Sequence, residues 1–490
     1  MSMETGMGRT QRTATWITTV LVAVAVMVAA TAFLHHAGKI IAFPYELAAG
    51  EELLLRDAVH MAQGRAVYTE INDFPFVVSN YPPLFAALSG VLVPLLGQSL
   101  AVTRLVATAS TLLGGVLIGA IIYQMTRSIW PSAVCGGAYL GSIFVYQWGA
   151  WGRVDSTAVL FSLLAVLIVL RWPGWRGTGL AALWCLLSLY TKQTQWAAPL
   201  AIIAWLWWRR QRRHAVGFVV LLGTLGAVVF LLLNAATSGQ FLRHLVIYNA
   251  LGYSPRAFLG YWRAFLVTYL GIMAVATCWG AGSLRHRLFS LPLLYFGVSV
   301  VTTVAVGRAG ASSNYFLELT AAALILCGLC WSELAKHHDY ASLAVPVILL
   351  LQLIWFKAFP LSPLAIYYDP LPSFGYTPQA SDVRGGEEID HYVEGVEGEV
   401  LTEGGGFSLR NGKELYGSPW LLNALEETGV VDEGLARLEG AVAMRRFSLI
   451  ILTWQSYPPR ILDAVWANYR RVDTVDCVFR YEIFVPREET

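Results

Sequence analysis

The sequence predicts a polytopic α-helical membrane protein of about 11 transmembrane helices plus an outer interfacial helix, followed by a C-terminal α/β soluble extracytoplasmic domain. Three observations predict it. Of 490 residues, 56% are hydrophobic and only 13% are charged, about half the roughly 25% expected of a soluble chain. Apolar runs close to the length of a bilayer crossing recur from Trp16 to Phe359. Charge is also divided: residues 360–490 hold 21 Asp/Glu and 11 Lys/Arg, which leaves 11 acids and 23 bases for residues 1–359. The first balance is that of a water-soluble domain and the second that of a membrane module. No segment couples a basic face to a soluble fold, so nucleic acid is excluded as a partner.

The spans follow in order. Arg9 and Arg12 precede an apolar run, Trp16–Leu34, of 19 residues. No small-residue cleavage site follows it, so it reads as a retained first helix with a cytoplasmic N-terminus. A polar first outer loop, residues 35–82, carries Glu46, Glu51, Glu52, Asp57, Glu70 and Asp73. Apolar segments come next at Pro83–Leu96, Ala101–Tyr123, Trp130–Trp148, Asp155–Leu170, Gly174–Tyr190 and Thr194–Trp208. Ala215–Leu233, Tyr261–Trp279, Leu288–Val306, Tyr315–Ser332 and Ala341–Phe359 complete the set, with Trp and Tyr crowding many ends as interfacial anchors do.

Pro83–Leu96 has 14 residues, short of the roughly 17 needed to cross. Laid along the outer interface, it puts Arg127, Arg171, Arg176, Arg285, Arg287, Lys336 and the run from Arg209 to Arg213 on the side of Arg9 and Arg12. The positive-inside rule prefers that arrangement. Of the acids in residues 1–359, Glu4, Glu333 and Asp339 then face inward and all others outward. Carboxylates gathered at one face of a bilayer are costly unless they serve a purpose. Cys327-x-x-Cys330 lies within an apolar run and reads as a packing pair. The C-terminal region holds only Cys477, so it has no internal disulfide. There, Phe447–Thr453 reads as a buried strand, Ile461–Arg471 as a helix and Cys477–Val485 as a second strand.

Four polar constellations fall on the outer face. The first is Tyr45-Glu46 with Glu51-Glu52, then Gly64, Tyr68 and Tyr81-Pro82-Pro83-Leu84. The second is Gly152-Arg153-Val154-Asp155, at the mouth of a helix. The third is Tyr190-Thr191-Lys192-Gln193-Thr194, a break between two spans. The fourth runs from Gly307-Arg308 through Gly310 and Asn314-Tyr315 to Glu318. A carboxylate at the interface can act as general base toward a hydroxyl. Arg153, Lys192 and Arg308 can bind a phosphate as it departs, and Asn314 adds a neutral donor. Tyr81, Tyr315 and Glu318 support them. Each also has a plainer reading: Glu51 and Glu52 suit the first turn of a helix, Arg153 and Asp155 an ion pair, and Lys192 a snorkelling side chain. Their co-location favours a site for an amphiphile with its phosphate at the interface.

Over roughly Thr15 to Trp331 these residues resemble the GT-C class of membrane glycosyltransferases, which includes protein O-mannosyltransferases, the aminoarabinose transferase and oligosaccharyltransferase catalytic subunits. The likeness rests on the acidic first outer loop ending in Tyr81-Pro82-Pro83-Leu84, on Arg153-Val154-Asp155, on Thr191-Lys192-Gln193, and on Gly310-Ala311-Ser312-Ser313-Asn314-Tyr315. The resemblance implies a polyprenyl-phosphate-sugar donor, transfer outside the cytoplasm to a lipid, glycan or protein acceptor, and a first-loop carboxylate as base. The family commonly carries an Asp-Glu or Asp-Asp pair there. This chain has none, so Glu51 and Glu46 are the matching candidates, Glu51 first for its spacing to Gly64. Asp155 matches an acid near the donor phosphate that helps some members hold a divalent metal (Mg or Mn). Other members work without one, and no ion is assigned. The rival class is a transporter or flippase of a lipid-linked sugar, but no internal repeat of the kind transporters carry is present.

Overall fold

The computed structural model describes residues 9–337, 340–358 and 376–488. The expected boundary at residues 359/360 lies outside them, as do Glu4 and Asp339. The chain opens with helix α1 (Arg9–Ala42), the first-loop helix α2 (Glu51–Ala62), and two short helices, α3 (Leu84–Gly90) and α4 (Val93–Leu96). A helical bundle follows: α5 (Ala101–Thr126), α6 (Ile129–Gly141), α7 (Ile143–Trp148), α8 (Asp155–Arg171), α9 (Trp175–Thr191), α10 (Ala197–Trp208), α11 (Arg212–Ala236) and α12 (Gln240–Leu242). It ends with α13 (Pro255–Thr268), α14 (Leu270–Arg285), α15 (Leu291–Thr302), α16 (Leu317–Leu334) and α17 (Ala344–Ala358).

Three expected segments are interrupted. Pro83–Leu96 is two short helices, not one. Trp130–Trp148 breaks at Ser142, whose extended backbone ends α6 and starts α7. Tyr261–Trp279 divides at Tyr269, where α13 and α14 meet at 91°. By length and composition, four described stretches can cross a bilayer alone, 13–42, 101–126, 212–236 and 313–337, or five if the bent pair counts as one. That falls well below the eleven expected. Hydropathy finds apolar runs but not the breaks within them, and several of the remaining helices have only 12 to 17 residues, at or below the lower limit for a span.

The helix at the centre of the bundle is α16. Its small residues Ala321, Ala322 and Ala323 are fully buried, as a helix surrounded by others requires. By contrast α11 is mostly exposed along its length, with Leu231 and Leu232 more than 60% exposed, which suits contact with lipid tails.

The C-terminal region comprises α18 (Ala380–Glu394), β1 (Glu399–Thr402), α19 (Phe407–Arg410), α20 (Pro419–Glu426), α21 (Asp432–Ala443), β2 (Phe447–Leu452), α22 (Pro459–Asn468), β3 (Tyr469–Asp476) and β4 (Arg480–Pro486). The sheet order is β1-β2-β4-β3, with β1 and β2 parallel and the other pairs antiparallel. Strand β2 sits where the apolar run Phe447–Leu452 requires. The expected helix stops three residues early, because Arg470 and Arg471 pair with Val485 and Phe484 in the sheet. This region docks on the first loop through many polar contacts. The Tyr45 hydroxyl donates to Asp390 Oδ2 at 2.9 Å, the Gly417 amide donates to the Pro75 carbonyl at 2.7 Å, and the Gly434 amide donates to Asn72 Oδ1 at 2.8 Å.

Candidate active site

The site starts from a hairpin of equal arms. Helices α8 and α9 have 17 residues each, so the first residue of one lies beside the end of the other. Asp155 opens α8 and Lys192 caps α9, and the Lys192 ammonium donates to Asp155 Oδ1 at 2.5 Å. Asn314, between the bundle's last loop and α16, donates to the same oxygen at 2.9 Å. The Lys192 ammonium also lies 3.9 Å from the centroid of the Tyr315 ring, within cation–π range. Asp155, Lys192 and Asn314 are all buried, yet Asp155 Oδ2 and Asn314 Oδ1 have no hydrogen-bond partner. A polar pocket lined by Asp155, Lys192, Gln195, Asn314, Tyr315 and Glu318 opens beside them. Native proteins rarely leave buried oxygens unpaired, and the polar pocket of about 20 Å³ beside these two has room for about one water.

Arg153 stands at its rim. Its Nη2 donates to the Tyr81 hydroxyl at 3.1 Å and its Nη1 to the Ala49 carbonyl at 2.7 Å. Burial works against the Arg153 charge, and Tyr81, Asp155, Glu51 and Glu46, in that order, act in its favour. Two glycines allow this approach. A Cβ on Gly50, whose φ is +88°, would lie 2.8 Å from Arg153 Nη1, and one on Gly152 would lie 2.2 Å from Thr103 Oγ1. Glu318 sits deeper and accepts from the Tyr295 hydroxyl at 2.9 Å. Arg308 stands apart from this cluster. Its guanidinium donates to the Asn249 carbonyl, and Asn249 and Gln193 both donate to the Asn80 carbonyl. The four polar constellations therefore meet, with Arg308 one layer removed.

The first-loop carboxylates are held differently. Glu51 is fully buried and receives Arg104 Nε at 2.9 Å and Nη2 at 2.7 Å. Backbone amides of Gly152, Leu47 and Ala48 also donate to it, at 2.7, 2.9 and 3.3 Å. Burial alone would raise its pKa, but the Arg104 charge and hydrogen bonds outweigh that and hold it below the usual range. Glu46 accepts from the Glu51 amide at 2.9 Å and from the Gly405 amide of the C-terminal region at 2.8 Å. Burial first, and the Glu51 charge second, push the Glu46 carboxyl up to about 7. Glu52 accepts from the Gly406 amide at 3.2 Å and is also pushed up, by burial and then by Glu46.

Arg104 was missed at the sequence level because it lies four residues into an apolar run. The signal was there: an arginine inside a predicted span is expensive and needs a partner. Gln195, part of the pocket lining, carried no such signal. As for a metal, Asp155 and Glu318 are the two carboxylates of the pocket lining, and the Lys192 ammonium already takes Asp155 Oδ1. Among the described residues, no group of three or more His, Cys, Asp or Glu could hold an ion.

Searched against models of known families and against curated proteins, the sequence matches none. Solved structures do match. ArnT from Cupriavidus metallidurans in the apo state superimposes with a TM-score of 0.62 at 14% identity, covering 96% of this chain and 98% of that one. The same protein bound to undecaprenyl phosphate gives 0.61 at 13% identity, covering 94% and 97%. The Archaeoglobus fulgidus oligosaccharyltransferase tethered with an acceptor peptide gives 0.55 at 10% identity, covering 95% and 74%. At these identities the likeness speaks to the fold, and it extends over almost the whole chain, C-terminal region included. The chain thus has the fold of the GT-C membrane glycosyltransferases.

Proposed function

We propose that this chain transfers a sugar from a polyprenyl-phosphate donor to an acceptor hydroxyl at the extracytoplasmic face of the membrane. The observation that carries the reading is the buried cluster of Lys192, Asp155 and Asn314, with Arg153 and Tyr81 at its rim and oxygens still unpaired. Lys192 and Arg153 are two cations at the mouth of a helical hairpin, suited to a phosphate that gains charge as it leaves. Asp155 and Tyr315 hold the Lys192 ammonium in place. Neighbours of the same fold support the reading: one is bound to undecaprenyl phosphate and another is tethered to an acceptor peptide.

In the proposed step, the acceptor oxygen bonds to the anomeric carbon while the bond from that carbon to the phosphate oxygen breaks. The electron pair leaves with polyprenyl phosphate and the acceptor's proton passes to a first-loop carboxylate. One displacement inverts the anomeric configuration. Of the two candidates, Glu46 suits a base better, since its pKa lies near the working pH. Glu51, clamped by Arg104, acts as a positioning residue. It fixes the loop that carries Glu46 and, through the Gly152 amide, the turn that presents Arg153. Glu46 lies beneath the Gly404–Gly406 turn, so the acceptor reaches it only as that turn lifts.

The test uses the full chain in lipid nanodiscs with radiolabelled polyprenyl-phosphate sugars, following release of polyprenyl phosphate with and without EDTA. Cleavage of one donor that is lost in Lys192→Met and insensitive to EDTA is expected. Donor that stays intact but equilibrates across vesicle leaflets would replace this reading with transport.

A further inference from the structure

The end of the bundle opposite the pocket carries charge that the chain does not neutralise. Helix α8 leaves the pocket at Asp155 and α9 returns to it at Lys192, so the turn between them, with Arg171 and Arg176, lies at the far end. Helix α10 leaves again just after Lys192, which puts the four arginines in residues 209–213, before α11, at that end too. Helix α15 leads back toward Asn314, so Arg285 and Arg287 before it join them. All eight arginines are exposed. Among the described residues none of the eight forms an ion pair, and Glu333, the one carboxylate at this end of the bundle, is taken by Lys336 at 2.8 Å.

Aromatic rings join the three turns into one surface. The Trp175 ring lies 4.5 Å from that of His214 on α11, and the Trp208 ring 4.0 Å from that of Phe289 before α15. Trp172, Trp205 and Trp207 lie under the guanidinium groups of Arg176, Arg209 and Arg212, at 5.6, 5.0 and 5.3 Å from the ring centroids, within cation–π range. A ring steadies a guanidinium but cancels none of its charge and accepts none of its in-plane N–H donors.

The helix sides next to this surface are apolar and open. Val216, Val219 and Val220, on α11 directly after Arg212 and Arg213, are exposed, as are Leu200 and Trp207 on α10. Residues three and four apart share a helix face, so the valines form one strip that leads from the arginines toward the middle of the bundle. Positive charge at the head of an exposed apolar strip is the complement of an anionic headgroup above acyl chains. A nucleic acid or an acidic peptide would match the charge and not the strip.

We propose that this surface seats an anionic phospholipid, its headgroup held by Arg209, Arg212 and the arginines of the adjoining turns and its acyl chains lying along α10 and α11. A zwitterionic headgroup brings its own cation and gains less from the same arginines. The inference rests on the far end of the bundle and not on the transfer reaction, and its test needs no sugar donor.

The full chain in detergent micelles would be offered equimolar phosphatidylglycerol and phosphatidylcholine with the same acyl chains, and bound lipid would be counted by native mass spectrometry. Phosphatidylglycerol is expected to be retained about 25-fold over phosphatidylcholine, from two engaged arginines at about fivefold each. Arg209→Gln/Arg212→Gln is expected to bring the ratio close to one. Should that variant fail to fold, Arg176→Gln/Arg285→Gln on the other two turns decides, lowering the preference at least about fivefold. Arg480→Gln, in the C-terminal region where Arg480 faces Asp476, is expected to leave it unchanged. Equal retention of the two lipids by the parent, or an undiminished preference in the folded variants, would overturn the proposal. Displacement of the bound lipid by glycerol phosphate at the same concentration would make this a site for small phosphate esters. Displacement by a polyglutamate peptide would make it a surface for an acidic protein, and either result would overturn the lipid assignment.

Discussion

Two buried carboxylate–cation pairs lie close together in this molecule, and they are finished in opposite ways. In the first loop, Glu51 meets Arg104 through two bonds and takes three backbone amides besides. At the hairpin mouth, Asp155 meets Lys192 and Asn314 through one oxygen and leaves the other without a partner. The first pair is saturated, which is how a fold holds charge inside itself. The second is incomplete and faces a polar pocket. Both are conspicuous acids in the sequence; hydrogen-bond satisfaction, not burial, is what distinguishes these two pairs.

The largest way to break this comparison is Glu51→Gln. It leaves Arg104 buried without its counter-charge, and a loss of about 3–5 kcal/mol in stability is expected, read as a lowered Tm and rapid proteolysis. A stable but inactive Glu51→Gln protein would return Glu51 to the role of base. Next comes Lys192→Met, expected to lower donor cleavage by about 10²–10³ with the C-terminal domain still folded by protease resistance. Equal losses of stability in the two variants would erase the contrast drawn between the pairs.

Glu46 sharpens it by pH. Its carboxyl titrates near 7 in the fold against an ordinary value of 4.5, so the folded state holds an extra proton between those values. Stability is thus expected to fall as pH rises from about 5 to 8, and less steeply in Glu46→Gln. Activity should rise over the same window as the base ionises, and that limb should vanish in Glu46→Gln. A rate profile flat through pH 7 in the parent would dismiss Glu46. The smallest effect is Tyr315→Leu, which removes the ring under the Lys192 ammonium at a cost of about 0.5–2 kcal/mol. It is expected as a several-fold rise in KM for donor, with kcat less affected.

Much of the site was legible because helix ends are legible. Asp155 and Lys192 terminate apolar runs of matching length, so a hairpin had to bring them together. The order Gly-Ala-Ser-Ser-Asn before a long apolar run likewise marked Asn314 as lying at a helix mouth. Arg104 was not read, because it sits inside a helix whose neighbours look like packing. Nor could hydropathy show that Tyr269 turns the chain by 91° or that Ser142 breaks a span, since neither residue is a strong breaker on its own.

Composition and periodicity by themselves marked this chain as mostly helical, with apolar helices followed by a C-terminal region of ordinary charge balance, and placed its conspicuous polar residues in four short stretches. That follows from local physics: runs of apolar residues, their lengths, and charges at their ends. Tertiary structure decided which carboxylates are already satisfied. Glu51 is satisfied by an arginine 53 positions away, and Glu46 is covered by an amide 359 positions away in the C-terminal region, whose turn must lift before Glu46 can act. Partners at such separations leave no trace in spacing. Only folding brings them to hydrogen-bond distance, and only then does a carboxylate become either part of the scaffold or free to act.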